Sequence, residues 1–230
     1  MTSEGFKCKL LSWNDVFVLA KETAKKVEHS GYRPDFIVAL ARGGLVPART
    51  LSDLLGVKDM AAIKVEHWGV TARPDKKAHI AHGITADLSG KKVLIVDDIT
   101  DTGESMRVAI EAVQKLNPAE IRTVALQHIN GSKHVPDYYA EEIHSWTWMI
   151  YPWNFVEDLT NLVGKALADG EPLTTEELKE KIMTQFEIDV STDDLLMVLH
   201  HMDFRHNVDI VNVSGKVCWK NASVVVKTQA

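Results

Sequence analysis

Apolar residues along the first 167 positions follow two alternating patterns. Mostly apolar segments predict buried strands over residues 35–40, 60–66, 92–96 and 121–126, and the run at 92–96 is nearly continuous. Between these runs, apolar positions three and four residues apart predict helices over residues 12–28, 46–55, 105–116 and 155–167. Residues 138–149 are rich in aromatic side chains and predict extended structure. Strands that alternate with helices indicate an α/β fold with a doubly wound parallel sheet, whose ligands bind at the carboxyl ends of the strands.

The pattern changes after residue 167. Residues 168–172, Ala-Asp-Gly-Glu-Pro, break the helical periodicity. Residues 174–185 and 191–201 then predict two helices, and residues 208–213 and 216–219, joined by Ser214-Gly215, predict a β-hairpin. Two helices followed by a hairpin are typical of a winged-helix-like α+β module. We therefore expect two domains, residues 1–168 and residues 169–230.

Composition and charge narrow the class of protein. The chain has 230 residues and a net charge of −6, which argues against nucleic-acid binding because such binding draws on Lys and Arg. Its two cysteines, Cys8 and Cys218, form no disulfide framework and fit a reducing compartment. The first residues lack a signal-peptide pattern, and no apolar run approaches the roughly 18 residues of a membrane span. We expect a cytoplasmic protein without a membrane or nucleic-acid partner.

Residues 93–105, VLIVDDITDTGES, carry the clearest chemical signal. A buried strand runs into two acids, a short polar loop and a predicted helix. The N–H groups of such a loop and the positive end of the helix bind phosphate. Asp97 and Asp98 would repel a bare phosphate, so the ligand also offers hydroxyl groups or arrives with Mg²⁺. Gly103 lets the backbone approach closely, and the hydroxyls of Thr102 and Ser105 donate to phosphate.

This segment resembles the thirteen-residue signature of type I phosphoribosyltransferases. The resemblance implies that Asp97 and Asp98 hold the ribose hydroxyls and organise Mg²⁺, directly or through water. It implies that Asp101 is the catalytic residue and accepts or relays a proton from the purine ring. The 5′-phosphate site that it implies consists of Asp101, Thr102, Gly103, Glu104 and Ser105.

Two further segments extend the resemblance. Residues 41–47, ARGGLVP, follow a predicted strand and are similar to the diphosphate-binding segment of xanthine-guanine-type enzymes. Arg42, Gly43 and Gly44 are therefore expected to bind the diphosphate. Residues 67–89 form a long polar segment with no clear periodicity, which corresponds to the loop that closes over the reacting centre in this family.

The base-binding segment resembles the same xanthine-guanine branch, most closely over residues 148–153, WMIYPW. The resemblance implies that Trp148 stacks on the purine and that the Met149 main chain meets its edge. Enzymes that use 6-oxopurines carry a lysine where this chain has Ile129. A 6-oxo group without its donor loses about 1–3 kcal/mol, so we expect adenine as the substrate and AMP as the product. Lys133, four residues on, keeps a 6-oxopurine open as the alternative.

The resemblance implies a purine phosphoribosyltransferase that acts as a homodimer or higher homo-oligomer. A regulator that senses phosphoribosyl diphosphate through a winged-helix domain is the alternative from another class. Residues 170–230 hold six basic and ten acidic residues, a net charge of −4. The predicted second helix, residues 191–201, carries two aspartates and no Lys or Arg, which disfavours a groove-reading helix.

Overall fold

The chain folds into two compact units. A computed structural model describes residues 5–67 and 78–222. The larger unit spans Ser12–Trp146, and the smaller unit combines Met1–Leu11 with Thr147–Ala230. Among the described residues, no helix is both long and apolar enough to cross a bilayer.

Within residues 5–67 and 78–222, the helices and strands follow the order that the sequence predicted, with additional strands at residues 8–10 and 78–82. The strands are β1 (Cys8–Leu10), β2 (Phe36–Ala41), β3 (Met60–His67), β4 (Ala78–His82), β5 (Lys92–Thr100), β6 (Glu120–Ile129), β7 (Tyr138–Ile143), β8 (Trp148–Ile150), β9 (Val208–Val213) and β10 (Lys216–Asn221). The helices are α1 (Trp13–His29), α2 (Leu45–Leu54), α3 (Glu104–Gln114), α4 (Phe155–Ala166), α5 (Thr175–Phe186) and α6 (Thr192–Phe204).

A mostly parallel sheet forms the centre of the larger unit. Within the described residues it has six strands in the order β4-β3-β2-β5-β6-β7. All neighbouring strands are parallel except β3 and β4. The chain leaves β2 towards β3 and leaves β5 in the opposite direction, towards β6. The topological switch point therefore lies between β2 and β5, where ligands bind in folds of this kind. The predicted α/β fold with a parallel sheet is confirmed.

Helices cover both faces of this sheet. α1 and α2 pack against one face, where Ala24 and Leu51 share a core cluster with Val96. α3 packs against the other face, where Met106 and Val38 belong to a second cluster. Because β2 and the first part of β5 are buried on both faces, residues 36–41 and 93–96 are continuously apolar and do not alternate. α1 begins at a capping box in which Ser12 and Asp15 satisfy each other's backbone N–H groups.

β4 corrects the prediction of an irregular segment over residues 67–89. It pairs antiparallel with β3 at the edge of the sheet and carries His79 and His82 among its five residues. A strand at the edge of a sheet is only partly covered by the rest of the protein, so its sequence needs neither an apolar run nor strict alternation. The hydropathy pattern of residues 78–82 therefore did not indicate a strand. Residues 68–77, which include Arg73, Lys76 and Lys77, lie outside the described residues.

The smaller unit is built from both ends of the chain. β1 pairs parallel with β8, in a register that aligns Cys8 with Trp148. The helices α4, α5 and α6 follow, and β9 and β10 form an antiparallel hairpin. Leu173 adds an isolated bridge to Trp219 on β10. The predicted order of helix, helix and hairpin in the C-terminal segment is confirmed.

The division between the units falls after Trp146 in the sequence, whereas we predicted a domain boundary after residue 168. The difference arises from α4, whose buried residues Leu159 and Leu162 share one core cluster with Leu178 of α5 and Leu199 of α6. The predicted domain boundary stays a prediction, and the core of the smaller unit begins upstream of it.

Candidate active site

Two adjacent aspartates lie near the carboxyl end of β5. The strand was predicted to end at residue 96, but its pairing with β6 continues through Thr100. Asp97 and Asp98 are therefore strand residues near the carboxyl end of the sheet, and Asp97 Oδ1 accepts from the Asp98 N–H at 3.0 Å. Asp98 is 7% exposed, and its Oδ1 accepts from the Ile99 N–H at 2.8 Å. Burial raises the pKa of Asp97 well above its ordinary value, and the negative charge of Asp98 raises it further.

The loop after β2 lies directly on this acidic pair. A Cβ added at Gly43 would stand 2.3 Å from Asp98 Oδ2, and one added at Gly44 would stand 2.3 Å from the Val96 carbonyl oxygen. The loop is tight, because the Gly44 N–H donates to Leu40 O at 2.8 Å and the Leu45 N–H to Arg42 O at 3.2 Å. The two motifs, far apart in the sequence, therefore meet at the switch point, and only glycine fits at the contact. The peptide bond between Ala41 and Arg42 is cis.

Asp101, Thr102 and Gly103 connect β5 to α3. Gly103 precedes the first helical residue in a left-handed conformation, with φ of 79°, which favours glycine. A Cβ at this position would also lie 2.6 Å from the His134 backbone nitrogen. Burial raises the pKa of Asp101. The loop thus presents a carboxyl group and the positive end of α3 at the same point.

Glu104 opens α3 with its side chain engaged on the helix surface. Arg107 Nη2 lies 2.6 Å from Glu104 Oε1, and Arg107 Nε lies 3.1 Å from Glu104 Oε2. The carboxylate is therefore paired, and the contribution that Glu104 offers to an anion is its backbone N–H at the first turn. Ser105 follows in that turn and is partly buried.

Ile129 ends β6 and is 9% exposed. The Asn130 N–H donates to Ile143 O, which closes the turn towards β7. Lys133 follows in this loop, exposed to solvent, and its N–H donates to Thr102 O at 3.1 Å. The structure therefore brings Lys133 beside the loop that precedes α3, whereas Ile129 remains an apolar, buried strand residue.

Trp148 and Met149 belong to the smaller unit. The Trp148 N–H donates to Lys7 O at 2.9 Å, and Phe6 lies 6.3 Å from its ring, centroid to centroid. Trp148 is 41% exposed, so part of its surface is open to a planar ligand, while Met149 is 9% exposed. Trp153, by contrast, stacks on Tyr151, with 4.8 Å between the ring centroids.

The sequence did not indicate that residues 132–134 contact the loop before α3. Ser132 Oγ lies 2.8 Å from the Cβ position of Gly103, close to the His134 contact. Nothing in the local pattern marks Ser132 or His134, because their importance comes from a contact across about 30 residues. The one available signal was Gly103 itself, since an obligatory glycine implies a close neighbour.

The carboxylates of Asp97 and Asp98 fit a Mg²⁺ ion that arrives with its substrate. Mg²⁺ is commonly bound by one or two carboxylates, and substrate oxygens complete its shell. Among residues 5–67 and 78–222, no group of three or more His, Cys, Asp and Glu side chains forms a site for a metal without such a ligand. The donor set therefore suits a shared metal rather than a metal cage made by the protein alone.

Several known proteins are similar to this chain in sequence and fold. The phosphoribosyl transferase domain family matches residues 9–157. A xanthine-guanine phosphoribosyltransferase of Idiomarina loihiensis is 30% identical over 145 residues, covering 63% of this chain and 85% of the relative. Xanthine phosphoribosyltransferase 1 of Saccharomyces cerevisiae is 26% identical, covering 70% and 95%. The crystal structure of a purine phosphoribosyltransferase from Pyrococcus horikoshii Ot3 is 36% identical with a TM-score of 0.57, covering 64% and 94%. The chain therefore belongs to the phosphoribosyl transferase family, and it is an enzyme of the purine branch in which these relatives lie.

Proposed function

We propose that the protein transfers the 5-phosphoribosyl group from phosphoribosyl diphosphate to a 6-oxopurine, with Mg²⁺, and releases diphosphate. The observation that carries the phosphoribosyl part is the contact of Gly43 and Gly44 with the end of β5. It sets a glycine loop, an acidic pair and the N-terminus of α3 around the switch point, which suits a ligand with phosphates and sugar hydroxyls. The names of the relatives from Idiomarina loihiensis and Saccharomyces cerevisiae support a 6-oxopurine.

The proposed roles follow from the chemistry of each group. The backbone of residues 101–105 binds the 5′-phosphate, and Arg42, Gly43 and Gly44 bind the diphosphate. Asp97 and Asp98 would hold the ribose hydroxyls and the Mg²⁺ ion. When bound, the metal would supply positive charge that stabilises the departing diphosphate.

The reaction forms a bond from a purine ring nitrogen to C1′ of the ribose. The bond from C1′ to the diphosphate oxygen breaks, and its electron pair leaves with the diphosphate. Asp101 accepts the proton that the purine ring releases. Trp148 stacks on the base, and the Met149 main chain meets its edge.

Lys133 is the group that we propose to donate to the 6-oxo oxygen. Position 129, where related enzymes carry a lysine, offers only the isoleucine side chain. Lys133 is exposed, and its backbone is tied to Thr102 in the loop that also carries Asp101. The flexible four-carbon side chain of Lys133 starts beside Thr102, so its ammonium group can reach the part of the loop that carries Asp101.

Adenine is the second candidate, and Ile129 is the observation that favours it. A buried isoleucine donates no hydrogen bond, and adenine has no 6-oxo group that requires one. The expectation of adenine from the sequence remains unconfirmed. The predictions of a cytoplasmic location and of a homodimer or larger homo-oligomer likewise stay predictions.

The test measures nucleotide formation from phosphoribosyl diphosphate and Mg²⁺ with adenine, hypoxanthine, guanine and xanthine in parallel. We expect turnover of at least one 6-oxopurine and a rise of about tenfold in its KM in Lys133→Met, the loss of one charged hydrogen bond. Lys115→Met, at the exposed end of α3, is the matched control and keeps the wild-type KM. Turnover of adenine alone would support the second candidate, and no turnover with any base would refute the proposed activity.

A further inference from the structure

Residues 130–137, which we call the β6–β7 loop, pack against the loop before α3. The Lys133 N–H donates to Thr102 O at 3.1 Å. The Cβ position of Gly103 lies 2.6 Å from His134 N and 2.7 Å from His134 Cβ. Ser132 Oγ donates to His134 O at 3.0 Å and keeps this turn compact. The backbone of the proposed 5′-phosphate loop therefore rests on the backbone at His134.

The imidazole of His134 reaches away from Gly103 to the sheet. Its Nε2 lies 3.3 Å from Oγ1 of Thr123, a residue of β6 that is 2% exposed. The Thr123 hydroxyl donates its one proton to Asp137 Oδ2 at 2.8 Å and accepts the Asp137 N–H at 3.0 Å. A hydroxyl has one proton and two lone pairs, so His134 Nε2 carries a hydrogen and donates to the remaining lone pair.

Asp137 gives this arrangement a fixed anchor. Its Oδ2 also accepts the Thr123 N–H at 2.8 Å, and its Oδ1 accepts from Arg122 Nη1 at 2.9 Å. Arg122 is held in turn by Glu120 Oε1 at 2.8 Å from its Nε. Hydrogen bonds to charged groups are among the stronger ones, so the anchor orients Thr123 and its lone pair for His134.

We propose that His134 is a positioning residue for the 5′-phosphate loop, acting through its hydrogen bond to Thr123. The bond fixes the β6–β7 loop under Gly103, so that the N–H groups of residues 102–105 point at the phosphate before it arrives. Preorganised donors bind an anion without an ordering cost at the moment of binding. The inference rests on the proposed function in one respect, the assignment of residues 101–105 to the 5′-phosphate.

The decisive comparison is between His134→Gln and His134→Asn. Both are polar amides, but only the glutamine amide extends as far as the Nε2 position and donates to Thr123. Binding of ribose 5-phosphate by calorimetry and the KM values for phosphoribosyl diphosphate and base are measured for each variant. His29→Ala, an exposed histidine at the end of α1, is the matched control.

We expect His134→Asn to weaken ribose 5-phosphate binding and raise the KM for phosphoribosyl diphosphate about tenfold, with the KM for the base within about twofold. His134→Gln restores both to within about threefold of the wild type. Unchanged ribose 5-phosphate binding in His134→Asn, or an equal loss in both variants, would overturn the inference. A wild-type protein that binds ribose 5-phosphate but turns over no base would refute the proposed function and leave the binding comparison decisive for His134.

Discussion

Replacing Gly43 with alanine tests the contact on which the proposed site rests. The new Cβ would stand 2.3 Å from Asp98 Oδ2 and 2.6 Å from both Cγ and Oδ1, where an ordinary contact is 3.4 Å or more. The loop or the carboxylate must therefore move by about 1 Å. Asp98 does not yield easily, because it is 7% exposed and accepts a hydrogen bond from Ile99 N.

The magnitude follows from these constraints. Overpacking costs about 1–3 kcal/mol, and a disturbed hydrogen bond to a charged group adds to it. We expect the free energy of unfolding of Gly43→Ala to fall by about 2–4 kcal/mol in urea titrations. A displacement of about 1 Å also costs about 100-fold in kcat/KM for phosphoribosyl diphosphate.

Gly164→Ala is the matched control for this prediction. A Cβ at Gly164, within α4, meets no atom within 4 Å beyond its chain neighbours and the backbone of its own helix. The change is therefore expected to stabilise the protein by about 1 kcal/mol at most and to leave kcat/KM unchanged. A Gly43→Ala variant that matches the wild type in both unfolding free energy and kcat/KM would refute the close contact between the β2 loop and Asp98.

Three further predictions concern Asp101, Asp137 and Trp148. Asp101→Asn is expected to lower kcat about 100-fold or more. Because burial raises the pKa of Asp101, the wild-type rate is expected to fall as the pH drops through that raised pKa. The variant lacks the titrating carboxyl group, so this acidic limb of the pH–rate profile disappears. Burial would raise the pKa of Asp137, but hydrogen bonds from Arg122 and Thr123 prevail and lower it. Asp137 therefore stabilises the fold fully above its pKa in the unfolded chain, which is about 3.9. Asp137→Asn is expected to lower the free energy of unfolding by about 1–3 kcal/mol at pH 7. In acid unfolding curves this difference vanishes as the pH falls through the lowered pKa of the folded state. Trp148→Ala is expected to raise the KM for the base about tenfold, while an equal rise in the KM for phosphoribosyl diphosphate would contradict the stacking role.

The central sheet was predictable because its strands are buried on both faces. Short, continuous apolar runs between predicted helices, such as residues 92–96, are typical of parallel strands that helices cover on both sides. The end of β5 was not predictable, because Asp97 and Asp98 remain in the strand through pairing with β6, and hydropathy cannot report pairing. β1 was missed for a related reason, since three residues carry no recognisable period.

The candidate site also has features that the sequence could predict and features that it could not. Residues 97–105 and 42–44 could be proposed from the sequence because each motif carries its chemistry within a few consecutive residues. The contact of Gly103 with His134 joins positions 31 residues apart, and the grouping of α4 with α5 and α6 depends on a shared core. Such relations arise from tertiary packing, which a single sequence does not display.

The make-up of the smaller unit has a consequence for how the affinity for the base can change. Trp148 lies on β8, which pairs with β1, and the core of this unit continues through α4 into α5 and α6. The residue proposed to stack on the base is therefore supported by the C-terminal helices, whereas the phosphate loops are supported by the large sheet. Sequence drift in those helices can change how tightly the base is held while phosphoribosyl recognition is conserved. A chimera that exchanges residues 1–11 together with 147–230 between relatives would transfer the KM for the base, whereas the choice between a 6-oxopurine and adenine would stay with the larger unit, which carries Ile129 and Lys133.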